Sequence, residues 1–250
     1  MVFKKKPVKI RLYYSDSALN KGEKVLLRSD QAHYIRDVMR ARISDAVVLF
    51  DGITGDWFAT ISEISRKKVE VRVEHLVSEY VKSRDLMLCI ALVKQDTMRS
   101  VVRQATEMGV TQIQPIRTEY SVVSDINVQK CRQWAIEAAE QCERQDIPEI
   151  ASVMEFTHLN DLGKKLVLCD ETGKGKMPAE VLRSKENLGI IIGPEGGFSE
   201  RELVCAESFC EKMSLGHRIL RVDTAVVAAL AYVNEYYISL GIILEVLSTV

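Results

Sequence analysis

The stretch Leu188-Gly-Ile-Ile-Ile-Gly-Pro-Glu-Gly-Gly-Phe-Ser-Glu-Arg-Glu202 decides the expected fold of this chain. It begins with a short apolar run, Leu188–Ile192, which is rich in β-branched residues and typical of a buried strand. The residues that follow, Gly193–Gly197, cannot continue a strand, so the chain is expected to turn there. Ser199 and Glu202 have capping-box spacing, which predicts that a helix begins directly after the serine. This order places a loop at the carboxyl end of a strand, where open α/β sheets bind ligands.

Spacing alone leaves two interpretations of this turn open. Its glycines would let backbone amides approach a bound ligand where a Cβ atom would collide. An ordinary tight turn between a strand and a helix needs the same residues. The pattern is neither G-x-G-x-x-G nor a phosphate-binding loop ending in Lys-Ser/Thr, so a nucleotide-dependent α/β enzyme is disfavoured.

The composition is that of an ordinary soluble globular protein. The chain has 250 residues, of which 47% are hydrophobic and 28% are charged, enough for one large domain or two smaller ones. The segment Met1–Lys6 leads into no apolar stretch, so no signal peptide is expected. Arg221 and Asp223 interrupt the apolar C-terminal part, which favours a buried or interface helix over a membrane span. We expect a cytoplasmic protein that does not bind membranes.

Cysteine and histidine usage argues against a metal centre. The six cysteines form no C-x-x-C pair, and the four histidines have no metal-ligand spacing. Several cysteines lie in apolar segments, as buried free thiols do in proteins of a reducing compartment. We therefore expect free thiols and no bound metal.

A small β-rich unit is predicted for residues 1–76. Its strand candidates are Val25–Leu27, Ala46–Phe50, Trp57–Ile61 and Lys68–Val73. Residues 1–75 carry 15 Lys/Arg against 10 Asp/Glu, whereas the remainder carries 19 against 25. Such asymmetry indicates a nucleic-acid-facing module joined to a more acidic domain, or a chance imbalance on a solvated surface.

One helix of this unit is a candidate RNA contact. It is predicted over Gln31–Arg42 and carries Arg36, Arg40 and Arg42. At these spacings the basic side chains would cover a broad helix face that could meet phosphates. A solvated helix face is the alternative.

The rest of the chain, residues 77–250, is predicted to be a second domain. A short polar stretch around residues 76–85 marks the boundary. The strand candidates are Leu86–Val93, Ile113–Arg117, Leu166–Cys169 and Leu188–Ile192, and the helix candidates are Thr97–Met108, Lys130–Arg144, Glu200–Phe209 and Thr224–Leu240. Alternating strands and helices predict a largely parallel sheet with helices on both faces.

Three loops of this second domain should gather at one edge of the sheet. They are Asp170–Gly173, Gly193–Gly197 and Leu215–Ala225. The third loop mixes apolar and polar residues in a way that is unusual for a linker. Asp223 or Thr224 could simply cap the last helix, although a capping residue can also border a ligand.

Two of these loops together resemble the paired signature of the SPOUT class of methyltransferases. The segments are Ile191-Ile-Gly-Pro-Glu-Gly-Gly197 and Ile219-Leu-Arg-Val-Asp-Thr-Ala225, the second preceded by Leu215-Gly. More narrowly, the chain resembles the ribosomal small-subunit methyltransferase E family, whose members methylate N3 of a uridine in 16S rRNA. Further similar blocks are His33–Arg40, Phe50–Gly52, Gln104–Val110, Thr118–Val122 and Glu140–Ile150.

The resemblance implies an α/β trefoil-knot catalytic domain, residues 77–250, preceded by a PUA-like β-barrel RNA-binding domain, residues 1–76. It also implies a homodimer and a pocket for S-adenosylmethionine formed by the knot loops. By position, the pocket residues are Leu168, Gly193, Glu195, Gly196, Leu215, Ile219, Leu220, Thr224 and Ala225. Apolar side chains can sandwich adenine, and backbone groups near the glycines can bind its edge and the ribose. On this basis, Gly196→Val is expected to abolish cofactor binding.

Three positions depart from the family pattern. Asp223 stands where a glutamate is usual, Tyr120 where an arginine usually precedes Ser-Val, and Gln104 where a lysine is usual. These changes leave the cofactor pocket intact and bear on the contacts to RNA.

The resemblance predicts a dimeric, S-adenosylmethionine-dependent methyltransferase of 16S rRNA or the small ribosomal subunit. Arg221 is the candidate for stabilising negative charge on the uridine, and Asp223 or Glu195 for accepting its proton. An ion pair between Arg221 and Asp223 that merely orders the loop is the alternative. No metal is required, because the sulfonium methyl donor is already activated. The rival functions are an RNA-binding relative without catalysis and a SPOUT enzyme with another RNA target.

Overall fold

A computed structural model of the chain describes residues 10–182 and 187–240. The segment Met1–Lys6, which is expected not to be a signal peptide, lies outside the described residues. Within those residues, no helix combines the length and the apolar character that crossing a membrane requires.

The chain divides into two compact units. The first unit contains residues up to Lys82 together with Ala139–Asp146, and the second contains Ser83–Ala138 and the residues from Ile147 onward. The predicted domain boundary after residue 76 falls inside a strand that continues to Glu79.

The first unit is built on a five-stranded sheet. Its strands are β1 (Arg11–Tyr13), β2 (Lys24–Leu26), β3 (Ala46–Phe50), β4 (Gly55–Ile64) and β5 (Val69–Glu79), in the order β1-β3-β4-β5-β2. Alternate residues of β5, Val69, Val71 and Val73, are buried in a single core, as the period-two pattern predicts. Among the described residues β1 and β2 form no ladder with each other, so the described part of this sheet is a curled half-barrel.

The helix predicted over Gln31–Arg42 ends four residues earlier than predicted, at Val38. Helix α1 spans Ser29–His33 and continues as a single π-helical turn, Tyr34–Val38. The amide of Ala41 then donates to the carbonyl of Ile35 at 3.0 Å, and Arg40 takes a left-handed φ of 51°. Arg40 and Arg42 therefore lie beyond the helix, and the predicted single basic helix face does not form.

The second unit contains a parallel sheet. Its strands are β6 (Leu86–Ala91), β7 (Gln112–Arg117), β8 (Glu149–Ile150), β9 (Met154–Glu155), β10 (Lys165–Asp170), β11 (Leu188–Ile192) and β12 (Cys210–Ser214). The order is β12-β10-β11-β6-β7-β8, with β9 also pairing with β7, and every pairing is parallel. The α-helices are α2 (Gln95–Glu107), α3 (Val128–Cys142), α4 (Pro178–Val181), α5 (Glu200–Ala206) and α6 (Val222–Ser239).

Both faces of this sheet are covered. Leu88 and Ile90 of β6 join a core on one face that includes buried residues of α2 and α6. The intervening Cys89 joins a second core on the other face with Phe156 and Ala206. The predicted parallel, doubly covered sheet is therefore confirmed, whereas the trefoil knot implied by the resemblance stays a prediction.

The last helix begins earlier than predicted. Helix α6 starts at Val222, and the residue before it, Arg221, is the N-cap without a side-chain capping bond. The alternative that Asp223 or Thr224 is the N-cap is therefore wrong. Instead, the amide of Thr224 donates to Asp223 Oδ1 at 3.0 Å, inside the first turn.

Candidate active site

An open pocket lies at the carboxyl ends of β10, β11 and β12 in the second unit. Its volume is about 540 Å³, counting the part open to solvent. The lining residues are Cys169, Asp170, Glu171, Ile192, Gly193, Pro194, Gly197, Phe198, Leu215, Gly216, Arg218, Leu220, Val222 and Ala225. The walls therefore come from three loops, each following one strand, as the sequence predicts for a parallel sheet.

The first wall, residues 193–199, is a tight glycine-rich turn. Gly197 has a left-handed φ of 71°, a conformation that side-chain-bearing residues adopt only with strain. A Cβ atom on Gly197 would lie 2.0 Å from Glu171 Oε1, and one on Gly193 would lie 2.8 Å from the Phe198 ring. Glycine at these two positions therefore lets Glu171 and Phe198 pack directly against the turn, which forms one wall, the cradle, of the pocket.

The predicted capping box fixes the far end of this turn. The Ser199 amide donates to Glu202 Oε2 at 2.9 Å, and the Glu202 amide donates to Ser199 Oγ at 3.3 Å. The other oxygen, Glu202 Oε1, accepts from the amide of Glu119 at 2.8 Å. One carboxylate therefore ties the glycine-rich loop to a turn 83 residues earlier in the chain.

That turn, Thr118–Ser121, is closed by its own hydrogen bonds. The Ser121 amide donates to the Thr118 carbonyl at 3.1 Å. The two hydroxyl oxygens lie 2.9 Å apart, and the Thr118 amide donates to Ser121 Oγ at 3.0 Å. The turn is thus held in one backbone conformation beside the pocket loop.

The wall that follows β12, residues 215–221, is held much more loosely. Gly216, His217 and Arg218 are exposed, and Ile219 is 82% exposed. Leu215 and Leu220 are half-buried and line the pocket. This loop therefore presents two apolar side chains inward while most of its length remains in solvent.

The third wall follows β10 and is acidic. Asp170 is only 5% exposed, and its two oxygens accept from the amide and the hydroxyl of Thr172 at 3.0 and 2.8 Å. Burial raises the pKa of the neighbouring Cys169 thiol well above its ordinary value, so that side chain stays protonated and acts as an apolar surface.

The residues assigned to the cofactor by resemblance fall into two groups. Gly193, Leu215, Leu220 and Ala225 line the pocket together. The others lie outside its lining: Leu168 is buried in the core, Ile219 points to solvent, and Glu195, Gly196 and Thr224 are exposed.

The three candidate catalytic residues come from the start of α6 and from the glycine-rich loop. The side chain of Arg221 is 85% exposed, and its Nε lies 3.8 Å from Asp223 Oδ1. Arg221 comes between two residues that line the pocket, Leu220 and Val222. Glu195 is exposed on the glycine-rich loop. The structure therefore brings Arg221 and Asp223 together beside the pocket.

Several pocket residues were not among those assigned individually to the cofactor. They are Cys169, Asp170, Glu171, Ile192, Pro194, Gly197, Phe198, Gly216, Arg218 and Val222. Seven of them lie within the three loops that the sequence singled out, and Cys169, Ile192 and Phe198 directly neighbour those loops. The strand β12, which positions Leu215 and Gly216, was itself not predicted.

The basic residues of the first unit differ in their availability. Arg36 Nη2 donates to Asp37 Oδ2 at 2.7 Å, and Nη1 donates to the Arg66 carbonyl at 3.1 Å. The hydrogen bond from Arg36 is the main cause that lowers the pKa of Asp37. Arg40 and Arg42 are exposed. Of the three predicted RNA-binding arginines, Arg36 therefore already donates hydrogen bonds within the first unit, whereas Arg40 and Arg42 face solvent.

The described residues contain no group of three or more His, Cys, Asp or Glu side chains that could hold a metal ion.

Two family models match the chain. An RNA methyltransferase domain matches residues 81–234, and an RNA methyltransferase PUA domain matches residues 27–74. The first match spans more than half of the chain and contains every residue that lines the pocket.

Named relatives agree with these models. The chain is 33% identical over 236 residues to ribosomal RNA small subunit methyltransferase E of Rickettsia conorii, covering 91% of this chain and 96% of that protein. It is 30% identical to the protein of the same name from Synechocystis, covering 84% of this chain and 72% of that protein.

Solved structures share the fold. A methyltransferase from Legionella pneumophila, in complex with the bound cofactor SAM, has a TM-score of 0.83 at 27% identity over 91% of this chain and 97% of its own. A ribosomal RNA small subunit methyltransferase E from Neisseria gonorrhoeae has a TM-score of 0.81 at 24% identity, over 91% of this chain and 97% of its own. The predicted fold class, a SPOUT-type α/β domain preceded by a PUA-like domain, is confirmed, and the chain belongs to the ribosomal RNA small subunit methyltransferase E family.

Proposed function

We propose that this protein transfers a methyl group from S-adenosylmethionine to N3 of a uridine in the 16S rRNA of the small ribosomal subunit. One observation carries the proposal: the RNA methyltransferase domain contains a pocket between a glycine-rich turn and an apolar loop. The names of the relatives support rRNA of the small subunit as the substrate, and the SAM-bound Legionella structure supports the cofactor.

The pocket residues fit the cofactor. Leu215, Leu220 and Ala225 offer apolar surfaces for the adenine ring, and backbone groups beside Gly193 and Gly197 can hydrogen-bond polar edges. The acidic wall, with Glu171, suits a ligand that carries positive charge. When bound, the cofactor supplies an activated methyl group, whose bond to sulfur breaks with the electron pair left on sulfur.

The protein must deal with the proton on N3. A uridine N3–H is a weak acid, so nitrogen becomes a nucleophile only as the proton leaves. We propose that Arg221 stabilises the resulting negative charge, which the exposure of its guanidinium next to two pocket-lining residues supports. Asp223, in the first turn of α6, or Glu195, on the glycine-rich loop, accepts the proton directly or through water.

RNA binding by the first unit rests on exposed cations. Arg40 and Arg42 are proposed to contact phosphates, and Arg36 to do so less strongly because Asp37 and a backbone carbonyl already occupy its guanidinium. Each phosphate contact makes the slope of log affinity against log salt more negative by close to one unit.

The active unit is proposed to be a homodimer that forms through α6. Val226, Leu230 and Val233 of this helix are buried within the second unit. On its other side, Tyr232 and Ile238 remain exposed, at 42% and 50%. A helix that is apolar on more than one face favours burial against a partner. Because the proposed substrate is ribosomal RNA, we propose that such a dimer acts in the cytoplasm.

The test is a methylation assay on small-subunit rRNA from cells that lack the gene. The purified protein and S-adenosylmethionine are expected to yield one N3-methyluridine per rRNA, identified by nucleoside mass spectrometry. Cofactor binding with methylation at another RNA would replace the substrate assignment. RNA binding without any cofactor binding would instead make the protein a non-catalytic relative.

A further inference from the structure

We propose that Tyr120 is the stacking platform for a base of the RNA substrate, next to the methyl-donor pocket. The inference deepens the proposed function and rests on it, because the occupant of the platform is the RNA that the pocket serves. It starts from an aromatic side chain that the sequence marked as a departure and that the pocket lining does not include.

The side chain of Tyr120 packs against the glycine-rich loop, residues 193–199. A Cβ atom built on Gly196 would lie 3.1 Å from Tyr120 Cβ, 3.7 Å from Cγ and 3.9 Å from Cδ2. The start of the aromatic ring therefore packs directly over Gly196, whose neighbour Gly197 lines the pocket. The absence of a side chain at Gly196 is what lets the ring approach the loop.

The position of Tyr120 is fixed from both sides. Its neighbours in the chain belong to the closed turn Thr118–Ser121. The amide of Glu119 is tied to Glu202, the capping residue of the helix that follows the glycine-rich loop. Because the backbone at this exposed site is already ordered, the entropy cost of binding a ligand there is lower.

The outer part of the ring is open. Tyr120 remains 50% exposed and nearby Val122 remains 48% exposed. An apolar surface kept in water by a rigid turn, at the edge of a ligand pocket, is suited to the flat face of a nucleobase. N3 lies on the pairing edge of uracil, so the base must leave its helix or stack to react, and a side-chain ring restores the lost stacking.

The competing role for Tyr120 is to cover the glycine-rich loop. In that case the side chain would affect the cofactor pocket and not the RNA. The two roles separate in measurements, because a stacking residue changes the KM for RNA while leaving the affinity for S-adenosylmethionine unchanged.

Three variants make the separation. Tyr120→Ala removes the ring, Tyr120→Leu keeps an apolar cover over Gly196 without a π face, and Tyr120→Phe restores the face without the hydroxyl. We expect Ala and Leu to raise the KM for rRNA about tenfold, and Phe to recover most of that loss. Calorimetric affinity for S-adenosylmethionine should stay within twofold in all three.

A direct contact is tested by photocrosslinking. An RNA fragment of the substrate with 5-iodouridine at the methylated position, or at either neighbour, is irradiated with the wild-type protein. The expected crosslink maps to the peptide containing Tyr120 and disappears in Tyr120→Leu.

Two results would overturn the inference while leaving the proposed function intact. One is an unchanged KM for rRNA in Tyr120→Ala, and the other is a reduced cofactor affinity that Tyr120→Leu repairs. A wild-type protein that methylates no rRNA would instead defeat the proposed function itself, so the two failures are distinguishable.

Discussion

The loop that follows β11 and the loop that follows β12 face the same pocket, but they are held in place very differently. Residues 193–199 are fixed by the Glu202 carboxylate, which accepts from the backbone amides of Ser199 and Glu119. Residues 215–221 are mostly exposed and reach the pocket through only Leu215, Gly216, Arg218 and Leu220. The difference indicates a preformed cradle on one side and, on the other, a flap that the ligand orders.

The largest effect is expected at the loose loop, in catalysis rather than in stability. Arg221→Ala should lower kcat about 100-fold, the loss typical of removing one donor to developing negative charge. Affinity for S-adenosylmethionine and the melting temperature should hardly change, because the ion pair with Asp223 is long and exposed. Steady-state kinetics with calorimetry checks this prediction. A normal kcat would limit Arg221 to ordering the loop.

The next effect breaks the preformed cradle. Gly197→Ala forces a side chain into a left-handed conformation and displaces Glu171. The free loop is expected to relax and relieve about 2 kcal/mol of strain, which binding must then restore. Cofactor affinity should therefore fall about 30-fold.

Gly196→Ala is the matched control for that change. Gly196 is exposed, and its φ is not left-handed. A methyl group there would press on Tyr120 at 3.1 Å, a residue outside the pocket lining, so it should cost less than threefold in cofactor affinity. The structure thus moves the expected critical glycine from Gly196 to its neighbour. Equal losses in the two variants would show that the left-handed turn has no special role.

A smaller effect is expected when the brace of the cradle is weakened. Glu202→Gln replaces one acceptor oxygen with an amide group, so one of the donors at Ser199 or Glu119 loses its partner. Unfolding free energy should fall by about 1 kcal/mol, with a several-fold weaker cofactor affinity. Chemical denaturation measures the first quantity. Glu200→Gln removes the same charge from the same helix turn. If Glu200→Gln lowers the unfolding free energy as much as Glu202→Gln does, the effect comes from helix electrostatics.

The smallest effect is expected at the solvent side of the loose loop. Ile219 is 82% exposed, so Ile219→Ala should change cofactor affinity less than twofold. Leu220→Ala, one position further along, half-buried and in the pocket lining, should weaken it by about 1.5 kcal/mol, roughly tenfold, through lost apolar contact. Calorimetry on the pair measures which residue faces the ligand, and a reversed order would mean that the loop turns over on binding.

Local patterns predicted one of these loops better than the other. The apolar run Leu188–Ile192 and the capping box Ser199/Glu202 each carry a short-range signal, and the observed β11 and start of α5 match it. The strand before the loose loop, β12, was missed because Cys210–Ser214 is short and contains only one fully buried residue, Met213.

Contacts between distant parts of the chain escaped prediction for a physical reason. Nothing in the sequence near Glu119 indicates that its amide meets Glu202, or that Tyr120 packs over Gly196, because both contacts follow from the tertiary arrangement of loops. The prediction of one continuous helix over Gln31–Arg42 was wrong for a different reason. A π-helical turn and the left-handed Arg40 interrupt a pattern whose composition favours a continuous helix.

Hydrogen–deuterium exchange with and without S-adenosylmethionine tests the central claim, that the cofactor binds between a fixed loop and a loose one. The amides of Gly197 and Ser199, which donate hydrogen bonds within this turn, should exchange slowly in both states. Amides of residues 215–221 should exchange quickly in the free protein and become protected on binding, and Gly197→Ala should abolish that protection at the same cofactor concentration. Rapid exchange of both loops in the free protein, or no change at residues 215–221 when the cofactor is bound, would contradict the account.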